Sequence, residues 1–341
     1  VREYGRERLE RRGDTDTTSY RHAQFFLALA EHAEPELLGP RWMEARARFA
    51  QEQDNIRAAL RWLTTRGDTE HALGLAGSLA RFWFFHGYFD EGNAWLTRVL
   101  TLPGSAPTAG RAQCLHGIGT IAMMRGDVAA AETALHEALG IWRELGNLAQ
   151  QGFVLFVLGM AARQHGARSE ASRLFEAGLA ASRAAGCAPA EANNLSGLAD
   201  VTREQGLLAP ARAYGEQALR CASAAGYLRG EVHALRALGE ITQELGEYRA
   251  AAQLLESGLA KSRELGAQWL SAWSLVRLGC LAIQQGDYAQ ADALLAESLE
   301  LSRQMGDRRG IDRCLEGLAE LARAQGQEAT RPPAFTENDR R

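Results

Sequence analysis

The sequence predicts an all-α protein built as a solenoid, an α-α superhelix of stacked helix hairpins. Three observations carry this. Glycine falls at Gly126, Gly166, Gly206, Gly246, Gly286 and Gly326, a 40-residue interval, and a second series, Gly146, Gly186, Gly226, Gly266 and Gly306, halves each unit. Between the glycines the apolar positions keep helical spacing: Leu115, Leu155, Leu195, Leu235, Leu275 and Leu315 are each followed three residues later by Ile118, Leu158, Leu198, Leu238, Leu278 and Leu318. Alanine, leucine, arginine and glutamate dominate, only 8 prolines occur, and no run of β-branched residues alternates at period two.

At 341 residues the chain exceeds one ordinary compact core, so an array or two domains is required, and the repeat selects the array. The opening segment, VREYGRERLERRGD, is too charged for a secretory core. Residues 19–67 read as a helical linker or N-terminal cap, and 68–110 as an irregular first hairpin unit. The aromatic block of that unit, Phe82, Trp83, Phe84, Phe85, Tyr88, Phe89 and Trp95, reads as core where irregular helices join the regular array.

Residues 111–310 hold five 40-residue units. In each, glycine ends a helix because it tolerates the left-handed backbone of a C-cap. On the second helix Ala131, Ala171, Ala211, Ala251 and Ala291 precede Leu139, Leu179, Leu219, Leu259 and Leu299 by eight residues. Small residues on the first helix, Gly119, Gly159, Ala199, Gly239, Gly279 and Ala319, let the second approach, with alanine expected opposite them. Asp127, Glu247 and Asp287 follow the turn, where acidic groups suit the positive end of a helix. Residues 311–326 read as a C-terminal capping helix and 327–341, QEATRPPAFTENDRR from Gln327, as a disordered tail.

Several function classes are disfavoured. A net charge of -4, with acidic and basic residues alternating, gives no basic face for nucleic acid. The longest apolar run, GFVLFVLGMAA from Gly152, is roughly half of a bilayer span and reads as a buried helix. Five scattered cysteines without C-x-x-C spacing fit a reduced, cytoplasmic compartment. The eight histidines include no H-x-x-x-H or H-E-x-x-H spacing, so neither metal nor cofactor is expected. Nothing spells a catalytic constellation, and the chain is not expected to be an enzyme. Lys261, the only lysine, follows Ala260, so no G-x-x-x-x-G-K phosphate loop exists.

The unit pattern L-x-x-L-G-x-x-A followed by A-x-x-x-[LF]-x-x-x-L resembles the tetratricopeptide repeat. It departs in a period of 40 rather than about 34, in leucine for the early tryptophan and in a missing closing proline. Longer helices and an altered pitch are implied, within a right-handed superhelix. HAQFFLALAEHAEPELLGP from His22, EQDNIRAALRW from Glu52 and LARFWFFHGYFDEGNAWLTRVL from Leu79 resemble the linker and first repeats of bacterial STAND-type ATPase transcriptional regulators, MalT-like and LuxR-type proteins among them. Residues 1–18 look like the end of the winged-helix piece before such an arm. The resemblance implies a repeat arm that binds a protein, peptide or small inducer and controls an ATPase core absent from this chain. A free-standing adaptor or self-association scaffold is the alternative.

By register with that family, groove-facing positions are 113, 116, 120, 123 and their equivalents every 40 residues. Three clusters follow. Phe153, Phe156 and Met160 form an apolar patch; Asn193, Asp200, Arg203, His233, Arg236 and Glu240 form a charged and amide middle; Trp269, Trp273 and Val276 form a second apolar patch. Aromatic and arginine anchors dominate interface energies, which makes these the expected ligand or partner groove. The competing structural reading packs Phe153, Phe156, Trp269 and Trp273 between neighbouring helices.

Overall fold

The computed structural model describes residues 14–104 and 106–326. The expected winged-helix-like segment falls outside the described residues for 1–13, and so does the tail at 327–341. The described residues form sixteen α-helices and one short 3-10 helix, with no strand among them. The N-terminal group is α1 (Thr15–Ala33), the 3-10 helix Pro35–Leu38, α2 (Trp42–Gln51) and α3 (Gln53–Arg66). The hairpins follow as α4 (Thr69–Phe85) with α5 (Phe89–Leu100), α6 (Ala109–Arg125) with α7 (Val128–Glu144), and α8 (Leu148–Gln164) with α9 (Arg168–Ala184). Next come α10 (Ala188–Glu204) with α11 (Leu208–Ala224), α12 (Leu228–Glu244) with α13 (Tyr248–Glu264), and α14 (Gln268–Gln285) with α15 (Tyr288–Met305). The last helix, α16 (Arg308–Ala324), packs on α15 and α14.

Helices α6 to α13 are each 17 residues long, about 26 Å at 1.5 Å per residue. Both glycine series adopt the left-handed conformation, with φ of 79° at Gly126 and 67° at Gly146. At the first of these turns the Gly126 N–H donates to Met123 O (3.2 Å) and the Asp127 N–H to Ala122 O (3.0 Å). These bonds close off the carbonyls that a helix end leaves orphaned. Asp127 and Asp287 then cap the next helix, accepting from the Ala130 and Gln290 N–H groups at 3.1 and 3.0 Å. Glu247 makes no such cap; its carboxylate pairs with Arg212 at 2.6 Å instead.

The close approach within each hairpin differs from the sequence expectation. Opposite the first-helix glycines lie large side chains rather than alanine alone. A β-carbon at Gly119, Gly159, Gly239 or Gly279 would sit 2.6, 2.5, 2.6 or 2.9 Å from atoms of Leu135, Phe175, Leu255 or Leu295. Glycine is therefore the socket for a knob on the second helix. In the third unit the sizes are exchanged: Ala199 takes the socket position, and Gly215 stands where the other units carry leucine or phenylalanine. A β-carbon at Gly215 would meet Leu238 of α12 at 2.8 Å. The volume removed from one helix is restored by its neighbours, as close packing demands.

The superhelix winds far enough to bring its ends together. One apolar cluster joins α1 to α6 with Val232, Leu265, Trp269, Leu270 and Trp273 from much later in the chain. The Arg46 Nη1 donates to Leu265 O at 3.3 Å, and the Phe84 and Trp269 rings lie 5.4 Å apart. Helix α16 also touches α6. The inward faces of the first helices thus line a deep chamber with an open mouth, bounded on one side by the contact of α4 with α14.

Candidate functional site

The chamber is walled by the even-numbered helices from α4 to α16. Each first helix contributes residues three or four apart, because that spacing keeps side chains on one face. Helix α4 supplies Arg81, Phe84 and Phe85; α6 supplies His116, Met123 and Met124; α8 supplies Phe153, Phe156 and Met160. Helix α10 adds Asn193, α12 adds Arg229 and His233, α14 adds Trp269 and Trp273, and α16 adds Arg309 and Arg313. About 120 Å³ is open to the centres of water molecules, and about 1070 Å³ is free of atoms when the mouth is counted.

Rings form a continuous path across it. Phe84 meets Trp269 at 5.4 Å, Trp269 meets Trp273 at 5.8 Å, and His233 stands 5.8 and 6.5 Å from those indoles. Phe156 completes the path, 6.3 Å from His233 and 6.0 Å from Phe175 of the neighbouring core. Phe153 is buried and carries the Arg81 guanidinium over its face at 4.2 Å. Burial and the Arg81 charge push His116 down to about 3; burial with Arg236 and Arg229 does the same to His233. Both imidazoles are neutral at physiological pH. The indole N–H groups of Trp269 and Trp273 and the Asn193 Oδ1 find no hydrogen-bond partner.

Apart from Val276, which is buried in a core cluster with Leu295, Cys314 and Leu321, the expected groove residues divide into two groups. Phe153, Phe156, Met160, Asn193, His233, Trp269 and Trp273 meet in the chamber. Asp200, Arg203, Arg236 and Glu240 instead form a self-compensated network beside it. Arg236 bridges Asp200 and Glu240, each at 2.7 Å, and Glu240 also receives Arg203 and Arg277 at 3.0 Å. Arg163 reaches Asp200 at 3.4 Å and Glu204 at 2.9 Å, while Arg203 pairs with Glu244. Burial alone would raise the Glu240 carboxyl, but the guanidiniums of Arg277, Arg236 and Arg203 outweigh it and hold the pKa well below the usual range. Asp200 is lowered against the same burial by Arg236 and Arg163.

The chamber arginines are treated differently. Arg81 is paired with Glu34 at 2.6 Å and donates to Gln150 at 3.2 Å. Arg229, Arg309 and Arg313 have no ion-pair partner among the described carboxylates. Arg229 is 5% exposed, and its Nε and Nη1 lack hydrogen-bond partners. Its guanidinium rests on the Phe85 ring at 3.7 Å, in a wall shared with a second, small cavity. Burial lowers its pKa to about 10. Arg313 lies over Trp273 at 4.2 Å, donates through Nε to Arg309 O at 3.3 Å, and is pushed down to about 9 by burial and by Arg309.

Sequence reasoning missed Arg81, Arg229 and Arg309; Arg313 falls in the expected groove register without having been singled out, and Phe84 and Phe85 pack against the core as expected while also lining the chamber. One signal was available for two of them. Positions 229, 269 and 309 share a register one helical turn before 233, 273 and 313, so the inward face extends by that turn. Arg81, Phe84 and Phe85 belong to the irregular unit, where no register applied. Among the described residues no group of three or more histidine, cysteine, aspartate or glutamate side chains is placed to hold a metal, and no helix is long and apolar enough to cross a membrane.

Known proteins bear out the architecture. The solved structure of NprR in complex with its cognate peptide NprX has a TM-score of 0.62 at 15% identity, over 92% of this chain and 88% of that one. The STAND protein PH0952 from Pyrococcus horikoshii, described as having a tetratricopeptide repeat sensor, has a TM-score of 0.52 at 14% identity, over 92% of this chain and 50% of that one. At such identities the likeness is one of fold. A relative from Mycobacterium tuberculosis, provisionally named an HTH-type transcriptional regulator, is 34% identical over 100 residues, 29% of this chain and 11% of its own length. The match therefore spans about a tenth of that relative. The MalT-like TPR region family model matches residues 89–329, well over half of the sequence, and the repeat array, the glycine sockets and the inward-facing first helices agree with it: the chain belongs to the MalT-like TPR region family.

Proposed function

We propose that the chain is the non-catalytic sensing arm of a cytoplasmic bacterial transcriptional regulator, and that it takes a ligand in the chamber. The observation that carries this is the convergence of aromatic side chains from α4, α8 and α14 on one cavity, although 189 positions separate Phe84 from Trp273 in the sequence. Concave, mostly apolar cavities with a few polar groups are the usual form of ligand sites. NprR, a protein of like fold solved with its cognate peptide, and PH0952, one of like fold with a repeat sensor, support the reading.

The mechanism follows from the closure. A ligand touching α4 on one side and α12, α14 and α16 on the other binds the wound arrangement better than a loosened one. It shifts the arm toward closure by no more than that difference in affinity. In the full-length regulator the shift would be read by an ATPase core. A thermal-shift screen of small molecules and short peptides tests the reading, with Phe156→Ala and Trp273→Ala as controls. Hits should lose their stabilising effect in both variants at unchanged helical content; hits indifferent to both substitutions would refute the chamber as the site.

A further inference from the structure

The chamber holds more positive charge than its own fold neutralises. Its lining has four guanidiniums, Arg81, Arg229, Arg309 and Arg313, against one carboxylate, Glu34, and that carboxylate is taken by Arg81. Proteins pair buried charge because an unpaired ion loses its hydration without return. The adjoining network shows that this chain can do so, with Asp200, Glu204, Glu240 and Glu244 set against Arg163, Arg203, Arg236 and Arg277. Three cations beside it make no ion pair: the buried Asp307 carboxylate offsets part of the charge of Arg309 and Arg313, while Arg229, nine-tenths buried with two unpartnered nitrogens, has no acid near it, and the lining as a whole keeps a positive excess that suits an anion.

We infer that the chamber takes a low-molecular-weight organic anion, with an apolar ring-bearing body between Phe156, Trp269 and Trp273 and a carboxylate or like oxyanion facing Arg229 and Arg313. This rests on the proposed ligand-binding role and adds the chemistry of the ligand. The interior decides the size. The 120 Å³ open to water centres corresponds to roughly ten waters, about 300 Å³ of liquid, the lower end of the range for ligand sites. An extended peptide of several residues would have to run out through the mouth, leaving the interior to one compact group. The two histidines do not supply the positive charge, because His116 and His233 are neutral at physiological pH. The head group is read by the guanidiniums, whose forked donors match a carboxylate.

The probe is 1-anilinonaphthalene-8-sulfonate, titrated by fluorescence into the intact chain beside its uncharged analogue N-phenyl-1-naphthylamine. The sulfonate should bind at one site per chain, at least tenfold tighter than the neutral dye. Arg229→Met and Arg313→Met should each weaken the sulfonate about tenfold without weakening the neutral dye, while Trp273→Ala should weaken both. Arg→Gln variants replace any Arg→Met variant whose helical circular dichroism falls. Equal affinity for the two dyes, unchanged by either arginine substitution, overturns the anion assignment; if Trp273→Ala still weakens both dyes, the chamber remains a ligand site. Indifference to Trp273→Ala as well removes both readings. Displacement then tests the occupant: 1-naphthylacetate should compete with the sulfonate dye, and an acetylated hexapeptide ending in phenylalanine carboxylate should not. Competition by the peptide alone overturns the choice of a small anion.

Discussion

Two arginines on α12, two helical turns apart, predict opposite outcomes for one substitution. Arg229 is buried without an acidic partner, and burial lowers its pKa from 12.5 to about 10. At about 1.4 kcal/mol per pKa unit, keeping it charged costs the fold roughly 3 kcal/mol, from which stacking on Phe85 recovers up to about 2. Methionine keeps an unbranched stem on the same ring and removes the charge. Arg229→Met should therefore raise the unfolding free energy by about 1–3 kcal/mol. The penalty is present below about pH 10 and fades above it, since the unfolded chain then holds the proton that the folded one releases. Arg236→Met strips the guanidinium from buried Asp200 and Glu240 and should cost about 3–5 kcal/mol. Urea unfolding followed by circular dichroism at 222 nm measures both, using the first transition because repeat arrays can unfold in stages. If Arg229→Met destabilises as much as Arg236→Met, the Arg229 charge is satisfied within the fold and the case for an anion loses its main support.

Other outcomes follow from the packing and titration. Gly159→Ala drives a β-carbon to 2.5 Å from the Phe175 ring, which is hemmed on its other side by Gly197 at 2.4 Å from a β-carbon built there. Strain of about 1–3 kcal/mol should exceed the helix-propensity gain of about 1 kcal/mol, and pairing it with Phe175→Ala should give a clearly non-additive cycle in urea unfolding. His233 has its folded pKa at about 3 against 6.5, so the unfolded chain binds the extra proton as the pH falls below 6.5. Stability should drop by about 2 kcal/mol from this group alone between pH 7.5 and pH 5, and His233→Gln should flatten the profile in thermal denaturation. The Asp200 and Glu240 contribution is full above their unfolded values of 3.8 and 4.5 and is lost as the pH falls through their lowered folded values. Glu240→Gln should accordingly remove part of the acid limb below pH 4 and leave the limb near pH 6 in place.

Much of the fold was legible because its information is local. The left-handed turns require glycine, and the leucine stripe requires i, i+3 spacing, so Gly126 to Gly326 and Leu115 to Leu315 announce the hairpins without any knowledge of tertiary contacts. The sockets were only half legible. Small residues at 119, 159, 239 and 279 were evident, but that Leu135, Phe175, Leu255 and Leu295 fill them depends on the stagger of the two helices, which no periodicity states. The groove register located the inward face, and the groove residues named from the sequence include seven of the chamber. It could not show that Arg236 would find Asp200 while Arg229 found no acid, because pairing depends on which face of the next helix lies opposite. Least legible was the closure itself: Arg46 meeting Leu265, and Phe84 meeting Trp269, result from the accumulated rotation of every hairpin between them.

That accumulation bears on how such an arm can respond. In a solenoid each unit contacts its neighbours, and small rotations per unit add along the array. The contacts that close this chamber lie at the two ends of the sum, Phe84 and Phe85 on α4 against Arg229 and Trp269 on α12 and α14. A change of a few degrees at each hairpin, tolerable to its own socket, would move those end contacts by several times as much. A molecule bridging them acts on the pitch of the whole array rather than on one hairpin. The middle unit, with Ala199 and Gly215 exchanging the socket and knob sizes used elsewhere, is where the packing rule changes. Restoring the common pattern there with Ala199→Gly and Gly215→Leu alters the rotation between units without touching a chamber residue. Because a leucine at 215 must also displace Leu238, the expected result is a weakened closure: lower sulfonate-dye affinity at near-native helical content. Unchanged affinity in the folded double variant would show that the pitch of the middle unit does not reach the chamber.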